Sequence, residues 1–452
     1  MNPIGAAPPL TPKLARALIR SLTRGTAIPE GVQFIHVGHG RWLDAQYEVL
    51  QEVDEDGYSE TKFVRGMYGA GKSHFLSILQ EHARRQGWLC AHLECKADSV
   101  EIDRFEMVYE RLMSKLSWLQ DDGLVGGTSE TTDSVRLLLE RWAHGVHRQA
   151  KLPEDSVRRP FDADQKIYGV LSQGVLRTNL PPDLVQALTA FARASWERDE
   201  EVMRAVTTWL HGSGSSVSIP GRYTRSPSGM GTNGRAAPPA PVELKPIGRG
   251  SAREVMRGLL WLVREAGFKG LLLCIDEIEA LTRLNRKRQE HAVQALRDFV
   301  DNGGAFRHCC MYLAATPDMF EGADYFPRYD ALATRIQPVG GKEINFRAPV
   351  IDLDRTPLQQ EEMMQIAQRI WSVHQIAYGT LEIPGFDEAL LRKIIAALMR
   401  SRFGRIARPR LLSRLMVWEL ERARQDPAVY RPPGNLDATI LDVADKLDKE
   451  RA

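Results

Sequence analysis

Eight residues in the first hundred have the types and spacing of a phosphate-binding loop. Residues Gly66–Ser73 read Gly-Met-Tyr-Gly-Ala-Gly-Lys-Ser, and their glycines let backbone N–H groups close around phosphate oxygens without a Cβ clash. Lys72 can reach the outer phosphates of a nucleoside triphosphate, and the Ser73 hydroxyl can bind Mg²⁺. The helical run that follows adds its dipole to anion binding. The predicted nucleotide ligands are Gly66, Gly69, Gly71, Lys72, Ser73 and His74. The alternative is a glycine-rich turn with an incidental lysine.

Two adjacent acids end an apolar run farther along the chain. Residues Leu271–Ile275 read as a strand, and Asp276 and Glu277 follow it directly. Asp276 is expected to hold the magnesium shell through water, and Glu277 to polarise an attacking water. Adjacent acids at this point can instead begin a helix as favourable N-terminal charges, so both interpretations stay open.

A polar residue ends the next apolar run. The strand-like segment Cys309–Ala315 is followed by Thr316 and Pro317. Beside the acid pair, the Thr316 hydroxyl would position the attacking water and sense hydrolysis. The alternative is a threonine that caps the following turn.

Strand-like and helical segments alternate, which predicts an α/β fold with a mainly parallel sheet covered on both faces. The predicted strands are 61–65, 88–93, 270–275, 309–315 and 342–346. After residue 356 only helical periodicity remains, over 358–377, 386–401, 410–425 and 436–450.

The predicted organisation is one α/β core interrupted by an insertion. Residues 1–125 and 248–350 form the two parts of the core, 126–211 a helical insertion, 212–247 a flexible Gly/Ser/Pro linker, and 351–452 an all-helical lid.

Composition excludes several classes of protein. The 452 residues include 60 Lys+Arg and 58 Asp+Glu, a net charge of +2, which argues against a histone-like protein or an acidic tail. The longest uncharged apolar run is far shorter than the roughly 18 residues of a membrane span, and no secretory pattern is found, so we expect a cytoplasmic protein. The five cysteines contain no CxxC pair and read as buried small hydrophobes.

Strand, loop, acid pair, polar residue and trailing helices together resemble the AAA+ ATPases. The resemblance implies ATP and Mg²⁺ as ligands, a C-terminal lid and a homo-oligomer in which a neighbouring subunit supplies a catalytic arginine. Arg335, before the predicted strand 342–346, is the candidate, with Arg328 as the reserve. In the lid, the resemblance implies a second arginine, for which Arg408 is favoured over Arg410. Solvent-facing arginines are the alternative in both places.

A narrower resemblance is to the P-loop ATP-binding proteins of bacteriophage-exclusion (BREX) systems, of the BrxD type, within the Orc/Cdc6-like branch of AAA+. It is carried by 18–25, 37–38, 66–76, 208–212 and 270–335, above all by Asp276-Glu-Ile-Glu279 and Ala315-Thr-Pro317. It implies an ATPase that serves anti-phage defence beside other BREX proteins.

An arginine-rich stretch in the predicted lid makes DNA a candidate partner, because clustered arginines neutralise phosphates. Its members named for this role are Arg400, Arg402, Arg405, Arg410 and Arg414. No base-reading motif accompanies them, and a solvated or intersubunit face is the alternative.

The sequence thus predicts an ATPase that couples Mg-ATP hydrolysis to assembly or conformational change in a defence complex on DNA. The second hypothesis is a nucleotide-gated recruitment module with little hydrolysis, and a kinase-like P-loop enzyme is the third.

Overall fold

The computed structural model describes residues 9–24, 30–95, 102–120, 123–126, 133–153, 162–212, 214–227, 239–301, 306–322, 325–336, 343–379, 385–400 and 407–451. Its centre is a seven-stranded sheet in the order β4-β3-β2-β7-β8-β1-β9. The strands are β1 (Ser59–Arg65), β2 (Leu89–Glu94), β3 (Leu116–Gln120), β4 (Gly123–Gly126), β7 (Leu271–Asp276), β8 (Cys309–Ala315) and β9 (Val350–Asp352). The five strands from β2 to β9 are parallel, and β3 and β4 are antiparallel additions at one edge.

Helices account for most of the remaining described chain. Before the insertion they are α1 (Pro12–Arg24), α2 (Gly40–Asp56), α3 (Lys72–Arg85) and α4 (Phe105–Ser114). Then follow α5 (Ser134–Gln149), α6 (Ala163–Gln173), α7 (Pro182–Glu197), α8 (Glu200–His211) and α9 (Ala252–Glu265). The last are α10 (Arg286–Asp301), α11 (Pro317–Glu321), α12 (Asp330–Ile336), α13 (Gln360–Tyr378), α14 (Glu388–Arg400), α15 (Arg408–Gln425) and α16 (Leu436–Arg451).

The sheet is buried on both faces, as its continuous apolar runs require. All residues of β7 and β8 are buried, and alternate positions enter two different cores. Leu313 packs into the core that holds the insertion helices, whereas Tyr312 faces the core formed by α1, α2, α3 and the C-terminal helices. The parallel α/β architecture predicted from strand and helix alternation is therefore confirmed.

One predicted strand is wrong. Residues 343–346 are not extended into the sheet, and the strand beside β1 is β9, which begins at Val350. The isoleucine and phenylalanine of the predicted segment resemble a strand locally, but they pack beneath the C-terminal core, and Phe346 lies edge-on to Trp42. Lys342 lies outside the described residues.

Part of the segment expected to be a flexible linker is ordered. Strands β5 (Val217–Ile219) and β6 (Val242–Leu244) form a separate antiparallel pair. Ile219, Tyr223 and Leu244 are fully buried against the insertion helices. The prediction of a flexible linker was based on the many Gly, Ser and Pro residues, and it did not take account of these few apolar side chains. This part of the segment therefore differs from the prediction. Residues 228–238 lie outside the described part.

In the described part of the chain, no helix is both long enough and apolar enough to cross a bilayer.

We predict that Leu313→Ala destabilises the fold strongly, because Leu313 is fully buried at the centre of the sheet. The expected loss is about 3 kcal/mol of unfolding free energy, from lost burial and a residual cavity. Leu441→Ala is the matched control, since Leu441 is 54 % exposed on α16. Urea unfolding followed by circular dichroism measures both; equal effects would contradict the assignment of Leu313 to the core.

Candidate functional site

The glycine-rich loop joins β1 to the first turn of α3. Gly69 and Gly71 adopt positive φ angles of 80° and 102°, which L side chains rarely take. Gly71 is the N-cap of α3, and the first intrahelical bond runs from the Phe75 amide to the Gly71 carbonyl. The amides of the preceding helical residues therefore have no acceptor within the helix and point toward the loop. The loop has the backbone shape that anion binding requires.

The side chain of Lys72 is buried against this loop. Lys72 is 7 % exposed, and its Nζ donates a hydrogen bond to the Gly66 carbonyl at 2.9 Å. The N–H of Met67, the next residue, donates hydrogen bonds to both carboxylate oxygens of Asp354, at 2.9 Å and 3.2 Å. Asp354 comes from the turn after β9. The contact of Asp354 with the loop could not be predicted from the sequence, because Asp354 lies 287 residues from Met67 in the chain.

The predicted acid pair lies at the carboxyl end of β7. Strand β8 lies between β7 and β1 in the sheet. The Asp276 carboxylate is buried, and its Oδ1 accepts the Glu277 amide at 2.8 Å. This bond holds Glu277 in a left-handed conformation with φ of 58°, which turns the chain sharply after the strand.

The Glu277 carboxyl has an unusual proton affinity. Desolvation of the carboxyl group and the neighbouring Asp276 carboxylate raise the pKa of Glu277 to about 7. Glu94 and Glu279 add repulsion, while Lys72 opposes the shift. A carboxylate with a pKa near neutrality suits a general base. Lys72 is therefore near enough to Glu277 to lower the pKa of its carboxyl.

Thr316 ends β8 between the loop and the acid pair. Its hydroxyl makes no capping hydrogen bond to α11, which weakens the interpretation of Thr316 as a helix cap. Its amide instead donates to Glu279 Oε2 at 3.3 Å. Burial raises the pKa of the Glu279 carboxyl, and Lys72 attracts it. Glu279 thus links the ends of β7 and β8, although the sequence analysis gave it no role.

The C-terminal helices contact the loop through Arg410 rather than Arg408. The Arg410 guanidinium lies 4.5 Å from the centre of the Tyr68 ring, and the Ala407 amide donates to the Tyr68 carbonyl at 2.9 Å. The Arg408 guanidinium instead binds the Met399 carbonyl at 3.3 Å. Of the two arginines, Arg410 is thus the one that contacts the loop, whereas the Arg408 guanidinium faces the end of α14, and the choice of nucleotide-binding arginine stays a prediction.

The two candidate catalytic arginines follow β8 in the chain. Arg335 is on α12, and only its backbone is described. Arg328 pairs with Glu290 at 3.5 Å and keeps 32 % of its side chain exposed.

His74, the last predicted nucleotide ligand, makes a contact within the chain. Its Nε2 lies 3.0 Å from His36 Nδ1, and the two rings stack with centroids 5.1 Å apart. Desolvation and the neighbouring imidazoles of His36 and His39 lower the pKa of His74 to about 3. The ring is therefore neutral at physiological pH.

Two arginines of the arginine-rich stretch contact other residues of the chain. Arg400 lies 3.8 Å from Asp437, and Arg410 packs on the loop as described above. Arg402 and Arg405 lie outside the described residues. The Arg400 side chain stays 68 % exposed beside Asp437.

Residues 10–219 and 236–432 match the family described as BREX system ATP-binding protein BrxC/D. The chain belongs to this family. Membership in the BrxC/D family implies nucleotide binding and a role in the BREX defence system, which confirms the resemblance to BREX ATP-binding proteins. The BrxD type, the Orc/Cdc6-like branch and the AAA+ assignment stay predictions. No curated protein matches the sequence.

We predict that Gly69→Ala disturbs the contact between the loop and α15. A Cβ at position 69 would lie 2.6 Å from Arg410 Cβ, closer than packed atoms approach. Gly87→Ala is the matched control, since φ there is +86° and nothing lies within 4 Å. Both variants carry backbone strain, so we expect Gly69→Ala to lose about 1–3 kcal/mol more unfolding free energy than Gly87→Ala. Thermal unfolding measures the difference; equal losses would contradict the contact.

Proposed function

We propose that this BrxC/D-family chain is an AAA+ type ATPase that binds and hydrolyses Mg-ATP in the glycine-rich loop. The observation that carries the proposal is the convergence of Lys72, Glu277 and Thr316. They follow β1, β7 and β8, three parallel strands whose carboxyl ends meet at one edge of the sheet. Ligands of open α/β sheets bind at this edge.

Each side chain has a role that its surroundings support. The loop amides and Lys72 hold the phosphates, and Glu277 draws a proton from the attacking water because its carboxyl is poised near neutral pH. Thr316 orients that water, and Glu279 keeps Thr316 in place through its amide.

Magnesium fits the donors present. The Ser73 hydroxyl and the Asp276 carboxylate offer oxygen atoms, and Mg²⁺ takes its remaining ligands from water and phosphate. In the described residues no three His, Cys, Asp or Glu side chains form a metal site of their own, in keeping with a metal that arrives with the nucleotide. When bound, the ion neutralises phosphate charge.

Two arginines complete the proposed site. Arg410 senses the nucleotide from the C-terminal lid, because it already lies against Tyr68 and Gly69. Arg335, with Arg328 as the reserve, reaches a neighbouring subunit in a homo-oligomer and neutralises charge on the transferring phosphoryl group.

Hydrolysis is proposed to drive assembly or conformational change among BREX proteins on DNA. Support for DNA comes from the arginine-rich stretch of residues 400–414 alone. The second candidate is a nucleotide-gated recruitment module with little turnover. It is favoured by the direct bond between the Ala407 amide and Tyr68, which lets loop occupancy change the position of α15 without hydrolysis.

The proposal predicts that Glu277→Gln still binds ATP but loses turnover by about 10²–10⁴-fold, because the general base is gone. Lys72→Ala should lose ATP affinity as well. Steady-state phosphate release and ATP titration measure the two effects, with and without duplex DNA. Glu388→Gln, the same chemical change at an exposed residue of α14, is the control.

Phosphate release no faster in wild type than in Glu277→Gln would disprove hydrolysis. Retained ATP binding in that case would favour the recruitment module.

The proposal also predicts different effects for two arginines that lie two residues apart, at the start of α15. Arg410→Ala should lower turnover by about tenfold to a hundredfold, since a charge-assisted contact to phosphate is lost. Arg408→Ala should leave turnover near that of wild type, because its guanidinium binds Met399. Equal losses in phosphate release would contradict the assignment of the sensor to Arg410.

A further inference from the structure

One peptide group of the loop is held at both ends by charged side chains. The carbonyl of the Gly66–Met67 peptide accepts a hydrogen bond from Lys72 Nζ at 2.9 Å. The N–H of the same peptide donates to both carboxylate oxygens of Asp354, at 2.9 Å and 3.2 Å. A cation on the oxygen and an anion on the N–H polarise the amide in the same direction, so each bond strengthens the other.

Asp354 is fixed to the sheet. It lies in a short 3₁₀ turn, Leu353–Arg355, directly after β9, and its own amide donates to Asp352 Oδ1 at 3.1 Å. Strand β9 pairs with β1, the strand that leads into the loop. The backbone of Asp354 is therefore tied to the strand that pairs with β1.

The Asp354 carboxylate is also an anion beside a site for anions. Lys72 and Arg65 attract it, Asp352 repels it, and burial is the main influence on its proton affinity. Phosphate oxygens that bind Lys72 compete with the Gly66 carbonyl for its ammonium, and Asp354 makes that carbonyl a better acceptor. A phosphate bound to Lys72 is also repelled by the Asp354 carboxylate, which Lys72 attracts.

We propose that Asp354 is a positioning residue that holds Lys72 on the Gly66–Met67 peptide and thereby lowers the affinity of the loop for nucleotide phosphates. This inference rests on the proposed function, in which the ligand is ATP. Because the turn of Asp354 leads into α13, a movement of the C-terminal helices that shifts this turn releases Lys72. The C-terminal helices therefore regulate nucleotide affinity through one carboxylate.

The test compares full-length variants by calorimetric titration with Mg-ATP and by steady-state phosphate release. Asp354→Asn keeps an oxygen acceptor for Met67 and removes the charge, so we expect the Kd for Mg-ATP to fall about fivefold with kcat near wild type. Asp354→Ala removes the acceptor too and frees the peptide, so kcat should fall about tenfold, a loss that Asn rescues.

Glu361→Gln is the matched control, because it removes the charge of an exposed carboxylate on α13, away from the Asp354 turn. We expect its Kd for Mg-ATP to stay within about twofold of wild type. A Kd for Asp354→Asn equal to or weaker than that of wild type, in a protein with unchanged thermal unfolding, overturns the role of Asp354. So does an equal gain in Glu361→Gln, which would indicate a general charge effect.

The outcomes separate this inference from the proposed function. Mg-ATP binding by wild type with no gain in Asp354→Asn overturns only the role of Asp354. Absence of binding in wild type and in Asp354→Asn alike overturns both. A gain in affinity with no phosphate release from any variant supports the role of Asp354 and overturns hydrolysis.

Discussion

The parallel alignment of β1, β8 and β7 is the constraint on which the rest of this molecule depends. Parallel strands must be covered on both faces, and their connections must cross over those faces as helices. The chain meets this requirement with insertion helices on one face and with α1, α2, α3 and the C-terminal helices on the other. As a result, the loops that follow β1, β8 and β7 lie side by side at one edge of the sheet.

A buried ammonium lies among several carboxylates at that edge. Lys72 is attracted by Glu277, Glu279 and Asp354, which come from two different segments of the chain. Burying several carboxylates close together is unfavourable, and protonation is one way to remove their charge. The raised pKa of Glu277 is thus a consequence first of desolvation and then of the neighbouring carboxylates.

The central strands could be predicted because burial on both faces leaves an uninterrupted apolar run, as in Leu271–Ile275 and Cys309–Ala315. The loop could be predicted because its glycines are required by backbone shape. Contacts between segments that are far apart in the chain could not be predicted from the sequence. Arg408 and Arg410 are chemically alike, and only helix orientation turns one toward Tyr68 and the other toward Met399. Likewise the three residues of β9 are too few for periodicity to distinguish them from a turn, so residues 342–346 looked the better strand.

The first helix of the chain is attached to the last ones. Arg16 of α1 donates to the Ala377 carbonyl at the end of α13 at 3.2 Å, and Leu18 and Ile19 are buried in the core that the C-terminal helices share. Helix α1 also packs against α15, whose N-cap residue Ala407 donates its amide to the Tyr68 carbonyl of the glycine-rich loop. The first helix is therefore joined to that loop through the C-terminal helices, and we expect a displacement of α1 to be transmitted to it.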